Sequence, residues 1–258
     1  MIVLYILGGV LGALVGLILL FLLVLLISVL FVDTKKEYEK RSNYYERLMD
    51  VTAWVVLKLC NVKVIVTGLE KVPQNSRFLL VSNHRSMFDV IASRMVLRKY
   101  GVAYVSKPEN FKIPVAKQLG MRCRFLAIDR ENPRNAMKTL VKAIDFIKND
   151  EGSVGIYPEG TRSKNGKLLP FHDGVFKIAQ KADVPVLVST VVGTEKVSKN
   201  TPFKRTIVYI DFLDCFKAEK DENSHDLSEK ARALIERQLV FREGEKHATA
   251  DEETSSED

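Results

Sequence analysis

Hydrophobic and polar positions divide the chain into a long apolar segment, a short amphipathic one and a larger body. The apolar segment, residues 1–32, contains no charged side chain. As one helix it would be about 48 Å long, more than the roughly 30 Å hydrocarbon core of a bilayer, so it can span with tilt or protruding ends. A cleaved signal peptide fits less well, because no basic residues precede the run and it exceeds the usual apolar region of about 7 to 15 residues. We predict a transmembrane anchor over residues 1–32.

The next segment, residues 33–60, combines basic residues with a helical pattern. It begins with DTKKEYEKR, and the positive-inside rule then places the following body in the cytoplasm of a single-pass cell-membrane protein. Residues 39–60 predict a helix in which apolar and basic positions alternate. Two interpretations remain open. The helix lies on the bilayer with Trp54 at headgroup depth, or it packs on the folded domain.

The body, residues 61–242, alternates short apolar runs rich in β-branched residues with helical patterns. This order predicts an α/β domain with a mostly parallel or mixed sheet of about seven strands, flanked by helices. Reactive groups in such sheets collect in loops beyond the carboxyl ends of the strands. The final segment, 243–258, is polar and acidic, and we predict that it is disordered. The strands are predicted at 62–66, 78–82, 103–107, 124–128, 153–157, 185–190 and 206–212, and the helices at 86–98, 112–119, 133–149, 172–182 and 226–241.

Charge and cysteine content narrow the classes of partner. The formal net charge is +7, and the last sixteen residues hold seven acids and one lysine, so the preceding 242 residues carry +13. A body this basic predicts an anionic partner, such as phospholipid headgroups, nucleic acid or a phosphorylated substrate. The three cysteines are widely spaced and form no C-x-x-C pair, so neither a disulfide framework nor a zinc site is indicated.

The stretch SNHRSMFD, residues 82–89, follows a predicted strand and has two interpretations. His84 and Asp89 suit a general base and the carboxylate that orients it. Ser86 and Asp89 also suit a capping box at the start of a helix. A spacing of five rotates about 140° on a regular helix, so the catalytic pair requires His84 to lie before the helix. Ser86 as N-cap gives that arrangement, although we do not expect Asp89 to serve both the N–H groups and the imidazole fully.

The stretch YPEGTRS, residues 157–163, ends another predicted strand and suits a phosphate cradle. The arginine fork matches phosphate oxygens, and a glycine turn adds backbone N–H donors. The pattern is not a P-loop, and the chain contains no G-x-S-x-G nucleophile turn. A charged surface loop is the alternative. The candidate residues are Glu159, Gly160, Thr161 and Arg162.

These blocks together resemble a known family. The order is N-H-x-x-x-x-D, then LGMRCRFLAIDR, then Y-P-E-G-T-R-S about 70 residues after the first block. Over roughly residues 60–215 the chain is similar to the glycerolipid acyltransferases, most closely to the 1-acyl-glycerol-3-phosphate acyltransferases. The resemblance implies transfer of a fatty acyl group from acyl-CoA or acyl-carrier protein to the free hydroxyl of 1-acyl-sn-glycerol-3-phosphate. The product would be phosphatidic acid, made for phospholipid biosynthesis.

The resemblance also implies a role for each site residue. His84 would be the general base, and Asp89 would orient the imidazole and stabilise its charged form. The acceptor oxygen would attack the thioester directly, without an acyl-enzyme. No metal, cofactor or nucleic acid is implied; the partners are the acyl donor, the lysophospholipid acceptor and the bilayer. The residues implied to bind the glycerol phosphate are Arg130, Glu159, Gly160, Thr161 and Arg162.

Two alternatives stay open. After LLPF the family often has a basic residue before the glycine, whereas this chain has HDG at residues 172–174, so the acceptor could be another lysophospholipid. The basic body would also suit a membrane-anchored lipid- or nucleic-acid-binding module without turnover. A binding module, however, has no need for the pair of His84 and Asp89.

Overall fold

The computed structural model describes residues 1–129 and 131–255, and for residues 245–255 it describes the backbone alone. The first helix, α1 (Ile2–Leu30), has a mean hydropathy of 3.3 and is long and apolar enough to cross a membrane. Nearly all its side chains are exposed, unlike those of a core helix in a soluble protein. Its last turns contact the next helix, where the Ser28 and Tyr44 hydroxyls lie 2.6 Å apart.

The second helix, α2 (Asn43–Leu59), packs on the domain through ion pairs with α3 (Phe88–Val96). The buried Arg94 guanidinium donates to Glu46, and its Nε donates to Asp50 Oδ1 at 3.0 Å. The packing interpretation is therefore confirmed for the inner face of α2. Its outer face keeps the apolar positions that a helix on a bilayer needs. The exposed apolar side chains are those of Tyr44, Val51, Trp54 and Leu59.

Seven strands in the described residues form one mixed sheet. They are β1 (Val62–Thr67), β2 (Leu79–Ser82), β3 (Ala103–Ser106), β4 (Leu126–Ala127), β5 (Val154–Ile156), β6 (Pro185–Val192) and β7 (Thr206–Lys217). Their spatial order is β1-β7-β6-β2-β5-β3-β4. Strands β2 to β6 are parallel to one another, whereas β7 is antiparallel to β6 and parallel to β1. The predicted α/β class and strand number are confirmed.

The other helices keep the predicted order but differ in their ends, and they include α7, which was not predicted. They are α4 (Ala116–Arg122), α5 (Pro133–Lys148), α6 (Lys177–Ala182), α7 (Val197–Asn200) and α8 (Ser224–Ser255). A short 3-10 turn replaces the first part of the predicted helix 172–182, and helix α4 begins four residues later than predicted. Helix α8 continues past residue 241, although disorder was predicted from residue 243. The apolar pattern ends near 241, but alanine, glutamate and lysine beyond it are good helix formers.

The fold brings the carboxyl ends of three parallel strands together. Strands β6, β2 and β5 are neighbours in the sheet and point the same way. Apolar side chains pack on both faces of the sheet, with α5, α6 and α8 covering one face and α3 the other. The segments that follow β2, β5 and β6 begin at residues 83, 157 and 193. They meet at one edge, as the sequence analysis predicts for reactive groups.

Candidate functional site

His84 lies in the loop between β2 and α3 and is paired with Asp89 in the first turn of α3. The imidazole Nδ1 lies 2.8 Å from Asp89 Oδ2. The carboxylate is buried, and the imidazole is 19% exposed. A neutral ring that donates Nδ1–H to the carboxylate leaves Nε2 as its proton acceptor. The loop position of His84 is the one that the catalytic pair requires.

Asp89 accepts more hydrogen bonds than we expected. Its Oδ2 also accepts the backbone N–H of Arg85 at 2.7 Å and that of Ser86 at 2.8 Å. Its Oδ1 accepts the buried hydroxyl of Thr194, which follows β6. Contrary to our expectation, one oxygen of Asp89 contacts both the imidazole and the backbone, because all three N–H donors converge on Oδ2 and leave Oδ1 to Thr194.

The start of α3 also differs in detail from the capping box. The helix begins at Phe88, and its N-cap is Met87 rather than Ser86. Ser86 still has a capping role, because its hydroxyl oxygen accepts the Phe88 N–H at 3.2 Å. The bond from Ser86 N–H to Asp89 completes a reciprocal arrangement. Local capping and orientation of His84 therefore use the same carboxylate.

Tyr157 forms one wall against the imidazole. Its ring is stacked on the His84 ring, with centroids 4.3 Å apart and planes 18° from parallel. Burial raises the pKa of Tyr157 well above its ordinary value, so the phenol stays neutral. Stacking and the Asp89 hydrogen bond together limit rotation of the imidazole.

Glu159 clamps the loop that carries His84 to the loop after β5. Its Oε1 accepts the His84 backbone N–H at 2.6 Å, and its Oε2 accepts the Leu169 N–H at 3.0 Å. In addition, Ser163 N–H donates to the His84 carbonyl at 2.8 Å. Burial raises the pKa of Glu159, while the two N–H donors oppose that shift. Because both oxygens are occupied and a carboxylate repels phosphate, this geometry suits a positioning residue better than the predicted phosphate contact.

The other residues of the third block form a turn beside this clamp. Gly160 has a φ of +74°, and its N–H donates to the Tyr157 carbonyl at 3.0 Å. The positive φ explains the need for glycine. Thr161 and Arg162 are exposed at the tip of the turn, one or two residues from the Ser163 contact with His84. They lie where an anion at the mouth of the site could reach them.

The second block lies farther from His84. Arg130 is outside the described residues, so its predicted phosphate contact stays a prediction. The preceding strand, β4, is three strands from β2, or about 14 Å at the usual spacing. A cavity of about 510 Å³ lies beside β4, and His84 does not line it. Its basic lining residues are Lys117, Arg124, Lys138 and Lys142.

Sequence reasoning missed two residues that support the site. Thr194 follows Gly193, which has a φ of +99°. A Cβ atom at position 193 would lie 2.3 Å from the Ile207 carbonyl oxygen, so no side chain fits there. Arg85 is buried, and its Nη2 donates to the Gly166 carbonyl at 2.9 Å. The signal for Thr194 was its place beyond a predicted strand. Arg85 carried no such signal, because its partners are distant in sequence.

Metal ligation is not indicated by the geometry. Within residues 1–129 and the described part beyond Arg130, no group of three or more histidine, cysteine, aspartate or glutamate side chains is arranged to hold an ion. The site instead offers one imidazole, one buried carboxylate and a glycine turn with an exposed guanidinium. This set suits proton transfer next to an anionic group.

Comparisons with known proteins agree with this arrangement. A 1-acyl-sn-glycerol-3-phosphate acyltransferase of Brassica napus (BAT2, chloroplastic) is 35% identical over 136 residues, or 52% of this chain and 39% of that protein. One from Salmonella typhimurium is 28% identical over 165 residues, or 63% of this chain and 66% of that protein. The crystal structure of the 1-acyl-sn-glycerophosphate (LPA) acyltransferase PlsC from Thermotoga maritima superposes with a TM-score of 0.65. It is 21% identical and covers 85% of this chain and 87% of that one.

The matches differ in how much of each protein they cover. The matched segment spans between 37% and 52% of the length of five plant relatives. The likeness to PlsC establishes the fold. The family model described as Acyltransferase matches residues 63–192, from β1 to the end of β6. Since that match covers half of the chain and includes His84, Asp89 and the glycine turn, the chain belongs to the Acyltransferase family.

Proposed function

We propose that this protein transfers a fatty acyl group from a thioester to the free hydroxyl of 1-acyl-sn-glycerol-3-phosphate, which gives phosphatidic acid. The observation that carries the proposal is the 2.8 Å contact between His84 Nδ1 and the buried Asp89 carboxylate. The relatives from Brassica napus and Salmonella typhimurium are named for this reaction, which supports the choice of acceptor. The donor is acyl-CoA or acyl-carrier protein.

The proposed reaction proceeds without an acyl-enzyme. His84 Nε2 accepts the proton of the acceptor hydroxyl while the oxygen attacks the thioester carbonyl carbon. The carbon–sulfur bond then breaks, and the leaving thiolate takes the proton from the imidazolium. Asp89 orients the imidazole and stabilises that imidazolium, and three further donors hold the carboxylate in place. Glu159 acts as a positioning residue that fixes the backbone of His84.

The acceptor is held through its phosphate and supplied by the membrane. Arg162 at the glycine turn, assisted by Arg130 and Thr161, binds the phosphate, since guanidinium groups stay charged at every relevant pH. Helix α1 anchors the chain in the cell membrane as a single span, with the domain in the cytoplasm. The acceptor can then remain partly in the bilayer while its hydroxyl reaches His84.

The test is release of free thiol from a thioester donor in the presence of lysophosphatidic acid. We expect the full-length His84→Ala variant to lose at least 99% of wild-type thiol release. The matched control is His225→Ala, because His225 also pairs with an aspartate, Asp173, at 3.1 Å but is fully exposed. Equal release by His84→Ala and wild type would refute the catalytic assignment.

The same assay separates the two alternatives. Side-by-side acceptors with different headgroups identify a lysophospholipid other than lysophosphatidic acid, which the HDG departure keeps open. If wild type releases no thiol with any acceptor but still binds liposomes, the non-catalytic binding module is supported instead.

A second prediction concerns the phosphate. We expect Arg162→Ala to raise the acceptor KM at least tenfold with a smaller change in kcat, because the lost contact binds the ground state and transition state alike. The exposed Arg237 on α8 provides the control variant Arg237→Ala. An unchanged acceptor KM in Arg162→Ala would remove Arg162 from the binding site.

A further inference from the structure

The loop between α7 and β7 exposes an aromatic side chain to an unusual degree. Phe203 is 95% exposed, more than any other large hydrophobic residue in the described part of the chain, α1 included. Packing within the domain cannot account for its place. A single exposed hydrophobic residue is common, so its surroundings must decide whether it marks a contact surface.

Basic residues flank Phe203. Lys199, Lys204 and Arg205 are exposed within four residues of it. An exposed aromatic ring flanked by basic side chains is typical of segments at a membrane surface. The ring enters the headgroup layer, and the basic groups contact lipid phosphates. Basic residues near an anionic leaflet are attracted to its negative surface potential.

The loop is fixed against the carboxyl end of α2. Thr206 N–H donates to the Asn61 carbonyl at 3.0 Å. The Thr201 hydroxyl, which donates to the Val197 carbonyl at 2.7 Å, lies 3.5 Å from the Cys60 carbonyl oxygen. The loop that carries Phe203 is therefore attached to the carboxyl end of α2, the helix that exposes Trp54 and other apolar side chains. The other end of α2 contacts the end of α1 through Tyr44.

We propose that the loop of residues 201–205 is a second membrane contact of the folded domain, with Phe203 inserted at the boundary between headgroups and acyl chains. The inference rests on the proposed membrane anchorage. A bilayer fits this surface better than a protein partner, because the loop is continuous with the helix that follows the anchor and is rimmed by cations. The 17 residues of α2 separate the two contacts by about 26 Å. One anchor leaves the domain free to rotate, whereas two separated contacts fix how the site faces the lipid.

The single tryptophan of the chain, Trp54, makes a direct test possible. Full-length protein is reconstituted in vesicles of phosphatidylcholine and phosphatidylglycerol, with and without bromine on the acyl chains. In a Trp54→Phe background, we expect Phe203→Trp to lose at least half of its fluorescence in brominated vesicles. The control in the same background is Val240→Trp, because Val240 is 65% exposed on α8, which covers the opposite face of the sheet.

Quenching of Trp54 in the wild-type protein is measured alongside, so that failure of the second contact can be distinguished from failure of the anchorage. Quenching of Trp54 without quenching at position 203 overturns the second contact and leaves the anchorage intact. Absence of quenching at both positions also overturns the second contact, and failure of the wild-type protein to float with the vesicles overturns the anchorage by α1. Equal quenching at positions 203 and 240 also overturns the inference, since the loop would then have no special place.

An activity measurement gives an independent check. We expect Phe203→Ser to raise the KM at least threefold for a long-chain acceptor in vesicles, but to leave the KM unchanged for a short-chain acceptor in free solution. A general folding defect would affect both acceptors. Unchanged KM values for both acceptors would contradict the second contact.

Discussion

At the scale of single residues, the geometry of His84 depends on one group in its own block and on two groups in a segment about 70 residues further along the chain. Asp89 holds the ring by its edge, Tyr157 stacks on its face, and Glu159 binds its backbone N–H. The motif predicted the first contact, because both partners lie within one short block. The others depend on how β5 and β6 end beside β2, which no local pattern specifies. Glu159 shows the limit most clearly, since its carboxylate lies in the block proposed to bind phosphate but contacts two backbone N–H groups.

Thr194 provides the prediction at this scale. Its buried hydroxyl donates to Asp89 Oδ1, so Thr194→Val should weaken the orientation of the carboxylate without touching substrate. A hydrogen bond to a charged group contributes about 1.5 kcal/mol or more, so we expect kcat to fall about tenfold while the acceptor KM stays within twofold. Thr194→Ser should retain most of the activity because it keeps the hydroxyl.

The matched control is Thr190→Val. Thr190 is also fully buried, and its hydroxyl donates to a buried aspartate, Asp211, at 3.4 Å. That aspartate does not contact His84 in the described structure. Equal kcat values for the two valine variants would mean that Thr194 is only structural.

At the scale of elements, the strands were easier to predict than the helix ends. All seven predicted strands are present, because each is a short apolar run between polar turns. Strand β4 shrinks to two residues, since it lies at the edge of the sheet and pairs with β3 alone. The first residues of the predicted helix 172–182 form a 3-10 turn instead. The sequence left both interpretations of α2 open, because ion pairs that cross between helices leave no periodic signal.

These ion pairs lead to a prediction about how α2 is held. Hydrogen bonds and ion pairs with Arg41 and Arg94 hold the pKa of Glu46 below its usual range, against the effect of burial. Arg94→Met should therefore leave Asp50 without its guanidinium partner and Glu46 with Arg41 alone, and we expect this to cost about 3 kcal/mol. For a domain of this size that corresponds to a fall of roughly 6 to 12 °C in Tm.

Two measurements on the detergent-solubilised full chain test this prediction. The first is thermal unfolding, and the second is limited digestion of the folded protein with trypsin. We expect faster cleavage at Lys58 in Arg94→Met, because α2 detaches before the sheet unfolds. The exposed Arg98, one turn further along, gives the control variant Arg98→Met. Identical Tm values for the two variants would show that apolar packing alone docks α2.

At the scale of the whole molecule, one buried carboxylate joins the first strand, the last strand and the last helix. Asp211 on β7 accepts from Thr67 at the end of β1 at 2.7 Å, and from Gln238 and Arg242 on α8 at 3.0 and 2.9 Å. No sequence pattern pointed to this cluster, because its members are separated by up to 175 positions. The same helix supplies Glu243, which lies 3.6 Å from Arg85 beside the site. Docking of α8 is therefore connected to the loop that carries His84.

The cluster makes stability depend on pH in a direction that can be predicted. Burial alone would raise the pKa of Asp211, but hydrogen bonds from Arg242, Thr67 and Gln238 hold it below the ordinary value of 3.8. A carboxyl with a lowered folded-state pKa stabilises the fold fully above its unfolded pKa, and this contribution is lost as the pH falls through the folded value. We therefore expect Asp211→Asn to lower Tm by roughly 10 °C at pH 7, with a difference that shrinks below about pH 4. Thermal unfolding from pH 7 to pH 2.5 measures this Tm difference, and Asp221→Asn, at an exposed position, is the control. A Tm difference that is constant over this range would show that the ionised state of Asp211 does not hold α8.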